Sequence, residues 1–312
     1  MKKATLWILG LLLSAIVILY IGASWYFSSL LLASETKAVT AAEIAQAEED
    51  LAPAGIPLPE TVTIPSTDGV TLAGYLYDQP DDADCGVVLL HGYTSISYDM
   101  ASWVPMFWEL GCDLITYDAR GHGNSSDVYH TFGYYEREDA SAVIDWFAAE
   151  AELSPSDIGL LGVSYGAAGS LQTLALRSDL AFVIADSAYQ DYDTIVSYQG
   201  GAQYGTLGRT VASTAITLAS WRGDFDADAV SPKDTIQNTS VPVLLIHALE
   251  DEYTFASHSE TIYANANPDL TVLEITDWGN GHGRSRSAEP EKYTAIVYDF
   301  IETYAPQFGQ TQ

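Results

Sequence analysis

Ser164 stands in Gly162-Val163-Ser164-Tyr165-Gly166, directly after the apolar run 158–161 and before a helical pattern, 167–177, with Leu171, Leu174 and Ala175 on one face. A serine hydroxyl is a weak nucleophile and works only when it is held in the open beside a base that takes its proton. A sharp strand-to-helix turn holds it so, but crowds its own backbone. Small residues must therefore flank the serine, and Gly162, Gly166 and Ala167 supply them. The same turn places the Tyr165 amide at a helix N-terminus, where an unpaired N–H can face an oxyanion. A Gly-rich turn with an idle serine shows the same pattern, so the serine's partners have to decide between the two.

The base must be a histidine, and six are present. Where a serine sits at such a turn, the partners follow in the order serine, acid, histidine, which leaves His247, His258 and His282. His247 ends an apolar run and precedes the best acid, and His258 falls inside a helical pattern. His282 lies in the loop Trp278-Gly279-Asn280-Gly281-His282-Gly283, after the last apolar run, where a side chain reaches over a sheet edge. For the acid, spacing favours Asp251, just beyond the run 241–247, with Asp186 after the run 182–185 as the alternative. His91-Gly92-Tyr93 closes the run 86–90. Its glycine lets the backbone approach a ligand, making the Tyr93 amide the second oxyanion donor, while His91 is read as fixing the loop by hydrogen bonds.

These residues need elements that converge on one edge. A hairpin signal, 61–65 and 70–77 around Asp68-Gly69, is followed by short continuous apolar runs at 86–90, 112–117, 158–161, 182–185, 241–247 and 271–275. Helical patterns at 100–110, 134–151, 167–177, 257–264 and 288–304 separate them. Strands apolar on both faces and separated by helices predict an α/β fold: a mostly parallel eight-stranded sheet with helices on both sides. The alternation breaks between about 190 and 240, a span rich in tyrosine and glycine with a helical stretch at 210–221. So long an interruption is expected to be a lid over the sheet's C-terminal edge.

Residues 1–33 begin Met1-Lys2-Lys3 and continue with an uncharged stretch longer than the roughly 20 residues a bilayer requires. This predicts a transmembrane anchor, with the lysines cytoplasmic and Trp25, Tyr26 and Phe27 as an aromatic belt at its outer end. A cleaved signal peptide is the alternative, and both export the domain. Residues 34–59 read as a stalk and linker, 60–307 as the main domain and 308–312 as a tail. Twelve basic against 42 acidic residues give a net charge of −30, which excludes nucleic acid as a partner. Cys85 and Cys112 start neighbouring strands away from the chemistry, either as a disulfide or as two buried thiols. No cluster has metal-ligand spacing, and neither a metal nor a cofactor is expected. Arg222-Gly223-Asp224 is read as a plain turn.

From about residue 60 to 304 the chain resembles the exported α/β-hydrolases of the serine aminopeptidase S33-like and BEM46-like group. The resemblance rests on His91-Gly92-Tyr93-Thr94-Ser95, Asp118-Ala119-Arg120-Gly121-His122-Gly123-Asn124-Ser125, Gly162 through Gly166, and His247 through Asp251. Tyr165 and Ala248 depart from residues common in that group. The resemblance implies the α/β-hydrolase fold with a lid, a Ser164-His282-Asp251 triad, and a site shaped but not catalysed by the 118–125 stretch. The expected function is a membrane-anchored extracellular serine hydrolase cleaving short-chain or aromatic carboxylic esters. An aminopeptidase or amidase acting on a peptide-like substrate is one alternative, and a non-catalytic binding protein on the same fold is another.

Overall fold

The computed structural model describes residues 2–33 and 39–310. The start of the expected stalk, 34–38, and the last two tail positions, 311–312, lie outside the described residues. Eight strands form one sheet: β1 Glu60–Pro65, β2 Thr71–Tyr77, β3 Gly86–Leu90, β4 Asp113–Tyr117, β5 Ile158–Val163, β6 Phe182–Asp186, β7 Val243–Ala248 and β8 Thr271–Thr276. Their order is β1-β2-β4-β3-β5-β6-β7-β8. The first two strands pair antiparallel and β2 meets β4 antiparallel. From β4 to β8 every pairing is parallel. After β3 the chain crosses to β4 on one side and then returns to β5 on the other. The strand order therefore reverses between β3 and β5, where a crevice opens at the strands' C-terminal ends.

Successive strand residues point to opposite faces. Val87, Leu89 and Leu161 join one buried cluster, and Val88, Leu90 and Leu160 the other. α3 (Val104–Trp108) and α10 (Pro290–Tyr304) cover the first face through Phe107, Tyr293, Val297 and Phe300. α4 (Glu136–Glu150), α5 (Tyr165–Thr173) and α8 (Ala256–Asn265) cover the second through Val143, Phe147, Leu171 and Ile262. The helix expected at 100–110 is instead a 3₁₀ stretch, Ser97–Trp103, leading into the short α3. Pro105 lacks an N–H and is tolerated only in a first turn, so the α-helix starts there.

α1 (Lys2–Leu32) is one continuous helix. Residues 3–22 are exposed throughout, whereas Ser24, Ser28 and Leu32, spaced four apart on one face, are buried. α2 (Ala41–Leu51) buries Ala47 and Leu51 in the cluster that α3 and α10 share. Cys85 and Cys112, just before β3 and β4, are joined by a disulfide at the sheet end remote from Ser164.

α6 (Tyr192–Gly223) fills the interruption in the strand–helix alternation and is broken at Gly205, whose φ of 62° is left-handed. The two halves cross where a Cβ on Gly208 would lie 1.9 Å from the Gly200 carbonyl oxygen, so Gly208 is needed for the close approach. The first half carries no helical signal in the sequence, because Gly200 and Gly201 interrupt its apolar pattern. α7 (Pro232–Thr235) and α9 (Ser285–Ala288) are single turns on the way to β7 and α10.

Candidate active site

The turn after β5 is as tight as its glycines suggest. Ser164 has φ 57° and ψ −112° and caps α5. Its N–H donates to the Asp186 carbonyl at 2.8 Å. Such a backbone conformation costs on the order of 1–3 kcal/mol and persists only where the surroundings enforce it. A Cβ on Gly162 would stand 2.2 Å from the Gly166 oxygen, and one on Gly166 would stand 2.2 Å from the Leu90 oxygen. The turn is thereby pressed against the end of β3, and a Cβ on Gly92 would lie 3.8 Å from that of Ser164. The Gly92-Tyr93 backbone and the first turn of α5 flank the serine together.

Ser164 Oγ lies 2.7 Å from His282 Nε2, and His282 Nδ1 lies 2.7 Å from Asp251 Oδ2. A carboxylate only accepts, so Nδ1 donates to it and Nε2 is left to accept the Ser164 proton. Asp251 is buried after β7. Its Oδ1 accepts from the Tyr253 and Thr254 amides at 2.8 and 2.9 Å. Burial alone would raise its pKa, but hydrogen bonds from His247, His282 and the Thr254 amide outweigh it and hold the carboxyl well below the usual range.

The alternatives take supporting places. Asp186 is buried at the end of β6 and its Oδ1 accepts from Ser187 Oγ at 2.8 Å, away from His282, while burial pushes its pKa up. Ser187 Oγ in turn accepts from the Gly283 amide at 3.2 Å, tying the His282 loop to β6. His247 sits beneath Asp251, donating Nε2–H to the Thr254 carbonyl at 2.6 Å with Asp251 Oδ2 at 3.2 Å. His258 is buried in α8 and accepts from the Gln190 amide at 3.3 Å. His91 fixes its loop as expected: Nδ1 donates to the Gly92 carbonyl at 2.8 Å and Nε2 accepts from the Ala119 amide at 2.9 Å. Burial and the neighbouring His122 lower its pKa to about 4, which keeps that pattern intact. Asp118 caps the same region, accepting from the Ser97 and Asn124 amides at 2.8 Å each.

A family model described as X-Pro dipeptidyl-peptidase (S15 family) matches residues 79–229, which contain Ser164 but neither Asp251 nor His282. The uncharacterized protein YqkD of Bacillus subtilis is 29% identical over 241 residues, covering 77% of this chain and 78% of that protein. Among solved structures, an esterase of Pyrococcus furiosus superposes with a TM-score of 0.68 at 22% identity, covering 88% of this chain and 99% of its own. The acylaminoacyl peptidase of Pyrococcus horikoshii does so with a TM-score of 0.62 at 20% identity, covering 84% and 44%. The chain has the α/β-hydrolase fold.

Two cavities of this α/β-hydrolase fold meet at Ser164. One, of about 400 Å³, is bordered by Thr94, Ser95, Asp99, Trp103 and the His282 loop. The other, of about 150 Å³, runs under α6 and is walled by Ile195, Val196, Tyr204, Val211 and Ala212, with Tyr165 and Tyr189 nearer the serine. Phe27, Leu30 and Leu31 of α1 close its side, a contribution with no counterpart in the sequence reading. Thr254 was missed as well: its Oγ1 is 3.0 Å from Asp251 Oδ2 and 2.9 Å from His282 Nδ1. Only its position three residues after Asp251 could have hinted at it. α6 also grips the acid loop, with Tyr198 Oη donating to the Glu252 carbonyl at 3.0 Å and Gln199 Nε2 to the Tyr253 carbonyl at 2.6 Å. The Arg222-Gly223-Asp224 turn ends α6, and Arg222 turns inward to stack on Trp25, 4.4 Å from its ring centre.

Proposed function

We propose that the chain is a membrane-anchored serine hydrolase whose domain, residues 60–307, lies outside the cell with α6 as its lid. The observation that carries this reading is the unbroken 2.7 Å relay from Ser164 through His282 to Asp251. Ser164 Oγ attacks an acyl carbonyl carbon as its proton passes to His282 Nε2, and Asp251 orients and stabilises the imidazolium that forms. The Tyr93 and Tyr165 amides hold the tetrahedral oxyanion, a contribution of about 3–4 kcal/mol for one such donor. His282 then protonates the leaving group, and water releases the acyl-enzyme by the same route.

Carboxylic esters fit this site better than peptides with a free N-terminus. An aminopeptidase needs a carboxylate for the substrate's α-ammonium, and the one acid bordering either cavity, Asp99, already accepts from Ser95 Oγ at 2.5 Å and the Ile96 amide at 3.2 Å. Retention of α1 is supported by the burial of Ser24, Ser28 and Leu32 against the domain. The Cys85–Cys112 disulfide suits an oxidising exterior.

The test is hydrolysis of p-nitrophenyl acetate and of an aminoacyl-p-nitroanilide by the full chain beside Ser164→Ala. Ester turnover should fall by at least about 10³-fold in the variant, with the anilide turned over poorly by both. Ester turnover that survives Ser164→Ala would refute the assignment.

A further inference from the structure

The cavity under α6 is built jointly with the membrane helix. Its side wall is Phe27, Leu30 and Leu31, and Phe27 meets Tyr204 edge to face at 4.7 Å between ring centres. α1 is fixed in this place by polar contacts. Arg222 donates to Ser28 Oγ at 2.6 Å and Ser29 Oγ at 2.8 Å, Tyr20 Oη is 2.6 Å from Thr214 Oγ1, and the His130 amide donates to the Leu32 carbonyl at 3.3 Å.

These contacts also set the depth of α6. Its Arg222 end lies beside residues 25–29 and Thr214 reaches the Tyr20 hydroxyl, while Tyr204 packs on Phe27, so the second half of α6 crosses α1 and its bend at Gly205 lies near the level of Phe27. The exposed stretch 3–22 has a helical length of about 30 Å, the thickness of a bilayer's hydrocarbon core. Thr214 is thus already near the outer boundary. Tyr204, beside the bend at Gly205, is held against Phe27, which lies five residues or about 8 Å beyond residue 22 along α1, so the bend sits at the outer interface of the bilayer. Tyr204 and Leu207 flank that bend and are exposed. From Thr194 to Gly223 the chain has no Asp or Glu, although it carries 42 elsewhere. The domain therefore presents an acid-free bend, with Tyr204, Leu207 and the cationic Arg209 exposed, to the outer interface of the bilayer, and the cavity leads from that bend to Ser164.

We propose that this cavity is an acyl channel with its mouth at the outer interface of the membrane, and that the substrate is a long-chain carboxylic ester of a bilayer-resident amphiphile. The proposal rests on the serine-hydrolase reading and departs from the short or aromatic acyl group expected from the sequence. The chain slides up along Phe27 and Tyr204 and brings its ester carbonyl to Ser164. A bond forms from Ser164 Oγ to the carbonyl carbon, and the bond to the alcohol oxygen breaks. The serine proton reaches the departing alcohol through His282, and the alcohol leaves by the cavity beside Asp99 and Thr94. Water then frees the fatty acid, which returns to the lipid.

The experiment uses the full chain in phosphatidylcholine proteoliposomes containing p-nitrophenyl palmitate or p-nitrophenyl acetate, with Ala212→Phe to fill the channel and Phe27→Ala to open its wall. Each methylene held in an apolar channel is worth about fourfold, so a filled channel should lower the palmitate-to-acetate ratio of kcat/KM by at least about tenfold. Phe27→Ala should shift the same ratio without requiring the more crowded Ala212→Phe protein to fold. At constant total palmitate ester, adding lipid should lower the rate in proportion to the ester's surface concentration. The inference is overturned if the wild type prefers acetate, if neither variant moves the ratio, or if the rate ignores surface dilution. Failure of the underlying reading looks different: both esters untouched by the wild type, or both still hydrolysed by Ser164→Ala.

Discussion

Two glycines in the same helix should respond to alanine in opposite ways. A Cβ on Gly166 would meet the Leu90 oxygen at 2.2 Å and the His91 oxygen at 2.6 Å, both backbone atoms at the end of β3. Carbon-to-oxygen contacts settle at about 3.3 Å, so roughly 1 Å of movement must be found between α5 and β3. Neither element yields easily, and overpacking of this kind costs about 1–3 kcal/mol. Gly169, one turn later, would place its Cβ 3.9 Å from Leu90 Cδ2, an ordinary contact. There alanine should stabilise the helix by about 0.5–1 kcal/mol. The two variants should therefore melt about 3–16 °C apart in thermal unfolding, on a scale of about 2–4 °C per kcal/mol. Activity should separate them further. The 1 Å displacement is passed to Ser164, two residues away and 2.7 Å from His282, and a misplacement of that size costs about 10²-fold in kcat. Gly169→Ala should retain wild-type ester turnover. If Gly166→Ala matches Gly169→Ala in both melting and p-nitrophenyl acetate hydrolysis, the turn is not held against β3 as argued.

Asp251→Asn should lower kcat by about 10⁴-fold with little change in KM, because an amide leaves the His282 tautomer unspecified and the imidazolium unstabilised; steady-state kinetics with p-nitrophenyl acetate decide it. A pH effect should come from His130, which is buried beside Tyr93, Phe132 and Tyr165 with no partner on either ring nitrogen among the described residues. Burial is the chief cause of its pKa falling from 6.5 to about 4, against the nearby Glu136, which pulls it up. Between these two values the unfolded chain binds a proton that the folded chain refuses, so stability is full above pH 6.5 and declines as pH falls toward 4. His130→Phe removes this term, and the wild type should lose about 2–3 kcal/mol more than the variant between pH 7 and pH 4.5 in urea unfolding. Equal losses would show that the ring is already solvated in the folded state.

The sheet was legible because its signal is local. Val87 to Leu90 and Leu160 to Leu161 are apolar on both faces, which only a strand covered on both sides requires. The turn at Ser164 was legible for a similar reason, since Gly162 and Gly166 are placed where a Cβ has no room. Spacing favours Asp251 over Asp186, and Asp251 Oδ2 lies 2.7 Å from His282 Nδ1. What Thr254, Ser187 and His247 do was not legible. Each acts through a contact made after folding, and a threonine or serine near a strand end has no pattern that separates such a contact from solvent exposure. The 97–103 stretch misled the periodicity because Met100, Trp103, Val104 and Phe107 satisfy a helical spacing that Pro105 then interrupts.

The joining of α1 to α6 was hidden for a different physical reason. α1 is apolar nearly all round, so the stripe that packs on protein, Ser24, Ser28 and Leu32, has no polar opposite face to stand out against. α6 is obscured as well, because Gly200, Gly201, Gly205 and Gly208 dilute its pattern, while Gly205 and Gly208 permit its two halves to bend and cross. Each segment alone suggests only an anchor or a lid. On the proposed reading their contact has a consequence that neither has alone: a rigid relay at the sheet edge fixes the reaction, while the acyl wall comes from a helix whose depth the bilayer would set. Substrate choice in such a chain should therefore respond to the position of α1 at residues 27–31 more than to any substitution in the strands that hold Ser164, Asp251 and His282.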